Sequence, residues 1–241
     1  MRSDRKILYF DEVTSTFEKL LEYSDENVLA VVSKRQTNGI GRLGREWLSD
    51  DGGLYFSFYV KAKGVLVNAP FLTIICALAS YRTISKYVKC SIKWPNDIVF
   101  GGKKLCGILV KSTTFNNKLN VMAGVGINVN NTCFGELSYR ATSIKEITNR
   151  DYDTRKILNA FLDEFDSIYN NLSNDEIIDE YSKYCITLGS DVSASYINSD
   201  QVINGKCIGI NTDGTLNIET ENGIININAG EVSVRGVYGY V

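Results

Sequence analysis

The chain has 241 residues, 44% of them hydrophobic and 22% charged, enough for one large domain or a large domain with a small one attached. A formal net charge of −2 argues against a dedicated polyanion binder, and the complete lack of histidine excludes Ser-His-Asp and Cys-His mechanisms and imidazole-ligated zinc. Any chemistry must therefore run on lysine, arginine, carboxylates and backbone amides.

In chain order, Lys6 to Tyr9 reads as a strand, and Ser15 can cap a helix through Phe17, Leu20 and Leu21. The opening MRSDRKILYFDEV has no apolar run of signal-peptide length. Val28 to Ser33 is a strand leading into a glycine-rich stretch, and Leu54 to Val60 is rich in strand formers. The apolar spacing of Leu72, Ile75, Cys76, Ala79, Ile84 and Val88 predicts a long helix from Ala69 to Val88. Its most apolar part is too short to span a bilayer, so a cytoplasmic protein without membrane contact is expected.

Strands are predicted at Ser91–Lys93 with Ile98–Phe100, at Leu105–Lys111 and at Leu119–Val129, with turns at Gly101-Gly102 and Asn116-Asn117. A helical stripe runs from Ile157 to Tyr169, and a shorter helix lies around Glu176 to Tyr184. After Leu188-Gly189 the texture changes to short alternating strands, with a hairpin turning at Asn222-Gly223. The reading is a mixed α/β domain over residues 1–187 followed by a small all-β barrel over 188–241. The six cysteines are scattered without a C-x-x-C pair and read as reduced thiols used as small hydrophobes.

The glycine stretch QTNGIGRLGREW, residues 36–47, contains G-x-G-x-x-G. A dinucleotide turn needs a helix directly after its third glycine, yet Arg45 onward carries no apolar helical stripe and stops at Gly52-Gly53. A protein kinase would need H-R-D and D-F-G, and neither is present. Two readings remain: a plain flexible surface loop, or an anion cradle in which Arg42 and Arg45 work beside exposed backbone amides.

A second constellation, Lys93-Trp-Pro-Asn-Asp-Ile98, spends one of two prolines and one of two tryptophans at a strand end. Trp94 alone suits a core and Asn-Asp alone suits a turn. Shortly afterwards Lys104 opens an apolar strand that carries Gly107, which lets a ligand approach the backbone. The combination points to a nucleotide site, with the indole stacking on a base and Asp97 holding a magnesium ion.

Five blocks in order then resemble biotin protein ligases: Gln36-Thr-x-Gly-x-Gly-Arg42-x-Gly-Arg45-x-Trp47, Lys93-Trp-Pro-Asn-Asp-Ile98, Lys104-Leu-x-Gly107-Ile-Leu, Gly124-x-Gly126-Ile-Asn128 and Gly230-Glu-Val-Ser-Val-Arg235. The resemblance implies an α+β fold: a mixed sheet with packed helices of the biotin/lipoate-ligase type, followed by an SH3-like barrel. It implies ATP-dependent formation of biotinyl-5'-AMP, then transfer of biotin to a lysine of a biotin carboxyl carrier protein, with Mg²⁺ required. With a first strand at Lys6, the chain is expected to be the monofunctional type, without a DNA-binding repressor domain or a nucleic-acid partner. A monomer and a homodimer are both compatible with it.

The same resemblance implies the site residues. Ser15, Thr16 and Gln36 meet the ureido end of biotin. Gly39, Ile40, Gly41 and Gly107 line the rest of the pocket, and Arg42 faces the carboxylate and the acyl phosphate. Lys104 is the catalytic cation joining carboxylate and α-phosphate, and Asp97 is the magnesium carboxylate. Arg45, Trp47, Lys93, Trp94, Asn96, Asn128 and Arg235 serve ATP and the adenylate, and the glycine loop is expected to order over them as a cover. Two departures stand out: Phe17 replaces a common asparagine, and Ile40 replaces the arginine usual between the first two glycines. The alternatives are a lipoate or octanoate ligase or transferase of the same superfamily, for which Cys106 would be the nucleophile, and a non-catalytic biotin-binding regulatory module.

Overall fold

The computed structural model describes residues 5–23, 29–60, 68–115, 118–196, 201–229 and 232–236. Val28, the Asn116-Asn117 turn and the Gly230-Glu231 opening of the last motif lie outside the described residues. Strands β1 (Ile7–Val13), β2 (Ala30–Gln36), β3 (Leu54–Tyr59), β4 (Ser91–Lys93), β5 (Asp97–Phe100), β6 (Lys103–Phe115) and β7 (Lys118–Ile127) form one mixed sheet in the order β1-β2-β3-β7-β6-β5-β4. By contacts the chain divides into two compact units, Met1–Ala69 with Leu105–Leu158, and Pro70–Lys104 with Asn159–Val241.

In the first unit β1 runs parallel to β2, while β3 pairs antiparallel with β2 and with β7, and β6 antiparallel with β7. Helix α1 (Thr16–Leu21) starts where Ser15 Oγ accepts from Phe17 N, which satisfies one of the unpaired amides at a helix start. Leu20 buries its side chain with Val31 and Met122, and Phe17, Leu21 and Tyr59 pack around them. This seats the helix on the sheet and brings its first residue to the end of β2. The short helix α3 (Ile144–Thr148) is capped by Ser143.

In the second unit the predicted helix is present as α2 (Ala69–Ile84), with 12 of its 16 residues buried. Its hydroxyls are absorbed locally, Ser80 donating to the Cys76 carbonyl and Thr83 to that of Ala79. The helix ends at Ile84, four residues short of the expected Val88. The stripe of helix α4 (Thr154–Asn171) is buried as its spacing requires, through Phe161, Leu162, Phe165 and Ile168. Helix α5 (Asn174–Tyr184) opens on a capping box between Ser173 and Glu176.

A separate antiparallel sheet follows, in the order β11-β10-β9-β8-β12. Its strands are β8 (Asp191–Tyr196), β9 (Val202–Ile210), β10 (Leu216–Thr220), β11 (Gly223–Ile227) and β12 (Val232–Gly236). The expected hairpin is present, with Thr220 paired to Gly223, whose φ of +112° suits glycine. Among the described residues no helix is long and apolar enough to cross a membrane.

Candidate active site

The glycine stretch is a hairpin. Gln36 bridges Ser49, Ile40 bridges Glu46, and Trp47 N–H donates 2.8 Å to the Gly39 carbonyl. Gly41 N–H donates 2.7 Å to the Arg45 carbonyl, and Arg42–Gly44 make a single 3-10 turn at the tip. No α-helix follows the third glycine, which removes the dinucleotide geometry on structural grounds as well. The tip holds Leu43 at φ +59°, an uncommon state for a branched side chain, and 43% exposed. Arg42 is half-buried and Arg45 exposed at the same tip.

Gly39 is required by space. A Cβ there would lie 2.4 Å from the Trp47 carbonyl and 2.6 Å from Ser49 Oγ. Its absence lets the two arms close on a chain of polar contacts. Thr16 N–H and Thr16 Oγ1 both donate to Gln36 Oε1, at 2.8 and 2.9 Å. Gln36 Nε2 donates 2.8 Å to Ser49 Oγ, which donates 2.9 Å to the Trp47 carbonyl. Thr16 Oγ1 also lies 2.9 Å from Ser57 Oγ on β3. Ser15, Thr16, Ser49 and Ser57 are all buried.

Beside this chain lies a floor stripped of side chains. Gly107 on β6 stands opposite Gly126 on β7, and Ser57 on β3 stands opposite Gly124. Directly opposed residues of antiparallel strands share a face, so the three glycines and Ser57 lie on one surface. Two rings rest on it. A Cβ at Gly124 would meet Phe17 at 2.8 Å, and one at Gly126 would meet the Trp47 indole at 2.4 Å. Phe17, the departure noted in the sequence, is thus a packing residue shared between helix α1 and the floor. Asn128, just beyond, is 4% exposed and donates from Nδ2 to the Thr142 carbonyl, anchoring the segment that leads into α3.

The second unit carries the other motif. The Trp94–Pro95 peptide is cis, between β4 and β5. Trp94 is 2% exposed, with its N–H bonded to Thr187 Oγ1 at 3.0 Å and its indole N–H to the Gly214 carbonyl at 3.1 Å. The Tyr181 hydroxyl donates 3.2 Å to the Pro95 carbonyl, and burial drives that phenol well above its ordinary range. In this position the indole braces the turn from within, while Lys93 and Asn96 beside it are also buried.

Asp97 opens β5 directly after the braced turn, and Lys104 lies near the start of β6. Asp97 Oδ1 lies 2.7 Å from Lys104 Nζ, a charge contact rather than an aligned hydrogen bond, with both side chains only partly exposed. Partial burial weakens screening and strengthens such a pair. Cys106, two residues on, is fully buried within β6 and offers no open thiol. Arg235 lies on β12 in register with Ser193, and its side chain lies outside the described residues.

Sequence reasoning missed Ser49 and Ser57. Ser57 could have been found, since a lone hydroxyl inside Leu-Tyr-Phe-Ser-Phe-Tyr must find a partner when buried. Ser49 left no comparable signal, because its role depends on the hairpin closing.

Residues 7–128 match the model of the Biotin/lipoate A/B protein ligase family, and residues 187–235 match that of the Biotin protein ligase C terminal domain. The chain belongs to this family. It is 30% identical to the Bifunctional ligase/repressor BirA of Bacillus subtilis, over 95% of this chain and 74% of that one. It is 26% identical to the Biotin--[acetyl-CoA-carboxylase] ligase of Mycobacterium tuberculosis, over 87% of this chain and 80% of that one. Among solved structures it resembles the biotin protein ligase from Aquifex aeolicus in complex with biotin and ATP. The TM-score is 0.85 at 34% identity, covering 97% of this chain and all of that one.

Proposed function

We propose that the protein is an ATP-dependent biotin protein ligase. Biotin's carboxylate attacks the α-phosphorus of ATP, forming biotinyl-5'-AMP and releasing pyrophosphate. A lysine amine of a biotin carboxyl carrier protein or domain then attacks the acyl carbon, forming the amide and releasing AMP. The observation that carries the reading is the part-buried Thr16–Gln36–Ser49 hydrogen-bond chain beside the glycine floor, a set of small residues and hydrogen-bonding groups of the kind that orients a ligand. A bicyclic ring with a polar urea head suits such a place.

Lys104 is the proposed catalytic cation. Its ammonium offsets the repulsion between carboxylate and phosphate and stabilises charge as the phosphorus becomes five-coordinate. Arg42 is proposed to share the carboxylate and α-phosphate. Arg45, Lys93, Asn96 and Arg235 would serve the phosphates and adenosine, with Trp94 holding the turn that carries Asn96 and Asn128 anchoring the segment that leads into α3. Gly39, Ile40, Gly41 and Gly107 would pack against biotin, whose ureido group meets Ser15, Thr16 and Gln36.

Among the described residues no group of three or more carboxylates and thiols is placed to hold a metal ion. A magnesium ion that keeps most of its waters and arrives on the nucleotide needs fewer protein ligands, and Asp97 fits as its one carboxylate. Such an ion would draw charge from the phosphate oxygens. The domain division we propose is catalytic over residues 1–187 and C-terminal over 188–241.

Burial of Cys106 disfavours the transferase alternative, since a nucleophilic thiol needs access. The test is mass spectrometry of a biotin-carrier domain incubated with the protein, biotin and Mg-ATP, with pyrophosphate release followed in parallel. Biotin-dependent pyrophosphate and a carrier heavier by one biotinyl group are expected. Lipoate supporting turnover in place of biotin, or no pyrophosphate release at all, would overturn the assignment.

A further inference from the structure

The contacts around Gln36 have a fixed direction. Thr16 donates from its backbone nitrogen, so the Gln36 atom facing it must be the oxygen and the other end of the amide must be Nε2. Thr16 spends its only hydroxyl proton on the same oxygen, so in the contact with Ser57 it is Ser57 that donates. At the far end Ser49 spends its proton on the Trp47 carbonyl, so toward Gln36 it can only accept. A backbone donor at one end and a backbone acceptor at the other thus set every proton between them.

Counting what remains gives the ligand's required pattern. Gln36 Oε1 already holds two donors, and Nε2 keeps one N–H uncommitted by these contacts. The Ser57 oxygen, having given its proton to Thr16, retains lone pairs. The uncommitted groups are one donor and one acceptor, the complement of a ligand group that carries both an acceptor oxygen and N–H donors. A cyclic urea has that pattern, and a dithiolane offers no N–H to match it.

We infer that Ser49 is a positioning residue for substrate selection. It anchors the Nε2 end of the Gln36 amide to the Trp47 backbone, so that the remaining N–H is aimed at the ligand's acceptor oxygen. This rests on the reading that biotin's ureido end enters here. Ser49 is 5% exposed and need not touch the ligand itself. It also ties the pocket to the hairpin, because the carbonyl it holds belongs to the residue whose indole covers Gly126.

The test compares biotin with 2-iminobiotin, whose cyclic guanidine replaces the acceptor oxygen by an N–H donor, using the full chain and Mg-ATP. Ser49→Ala is expected to raise the biotin KM about tenfold while kcat and the ATP KM stay within about twofold, the pattern of lost ground-state binding. The iminobiotin-to-biotin KM ratio should fall about threefold or more, because a loosely aimed amide discriminates less. Gln36→Glu removes the donor altogether and should invert the preference toward the cationic analogue, which keeps the test usable if Ser49→Ala folds poorly. An unmoved biotin KM in Ser49→Ala, a fall in kcat with the ratio unchanged, or Gln36→Glu retaining the wild-type preference would each overturn the inference. Wild-type protein with no biotin-dependent turnover would overturn the biotin reading and this inference together. Normal wild-type turnover with an unaltered Ser49→Ala would overturn this inference alone.

Discussion

Residues 36–49 and residues 93–104 are the two stretches richest in motif residues, and they are held by opposite means. The first is a hairpin closed by neutral hydrogen bonds, with glycines wherever two backbones or a ring must approach. The second is a turn braced by a buried indole and a buried phenol, followed by one ion pair. Neutral groups with fixed proton positions are suited to choosing a ligand by shape and hydrogen-bond pattern. A partly buried charge pair is suited to stabilising charge that develops during reaction. We propose that selection falls mainly to the first stretch and charge stabilisation mainly to the second, with Arg42 of the first also facing the reacting groups, and that division can be attacked directly.

The largest effect should come from the charged stretch. Lys104→Ala is expected to lower the rate of biotinyl-adenylate formation about a hundred- to a thousandfold, the scale of a lost transition-state donor. Pre-steady-state pyrophosphate release measures it, and biotin binding by calorimetry should change little. A variant with normal rate and poor biotin binding would reverse the division.

Next in size is the floor. Gly126→Ala puts a methyl group into the Trp47 ring, where 2.4 Å is available, and should cost about 1–3 kcal/mol of stability. Thermal unfolding reads that cost, and the biotin KM should rise more than kcat falls. Equal loss in both would mean that the hairpin takes part in the chemical step.

Trp94→Phe comes third. It keeps most of the apolar bulk but leaves the Gly214 carbonyl without its buried donor, a cost of about 1–3 kcal/mol. Urea denaturation should show it, with ATP-dependent parameters shifting before biotin-dependent ones.

The smallest effect concerns acid. Hydrogen bonds from the backbone and side chain of Ser173 hold the Glu176 carboxyl below its ordinary value of 4.5. A carboxyl whose folded value is lowered stabilises the fold above its unfolded value, and that gain is lost as pH falls through the folded value. Glu176→Ala should therefore unfold slightly earlier than wild type at neutral pH, and the difference should shrink below pH 4.5 and vanish once the pH is well below the lowered folded value. A difference that persisted there would show that the cap acts through packing and not through its ionised form.

Much of this was legible in the chain itself. The period of apolar residues located α4, the alternation after Gly189 announced the second sheet, and Asn222-Gly223 marked its hairpin. These signals are local, since a helix stripe or a tight turn is specified by residues a few positions apart. The histidine-free composition narrowed the chemistry, and the order of the five motifs pointed to the ligase family.

Tertiary structure decided the rest. That α2 is buried nearly all round, that Phe17 rests on Gly124, and that Trp94 braces its turn against Thr187 and Gly214, 93 and 120 positions away, depend on distant neighbours that no local pattern encodes. The direction of the Gln36 amide is the clearest case. An amide has no preferred way round until a backbone N–H on one side and a hydroxyl committed elsewhere on the other leave a single arrangement in which each of these contacts joins one donor to one acceptor.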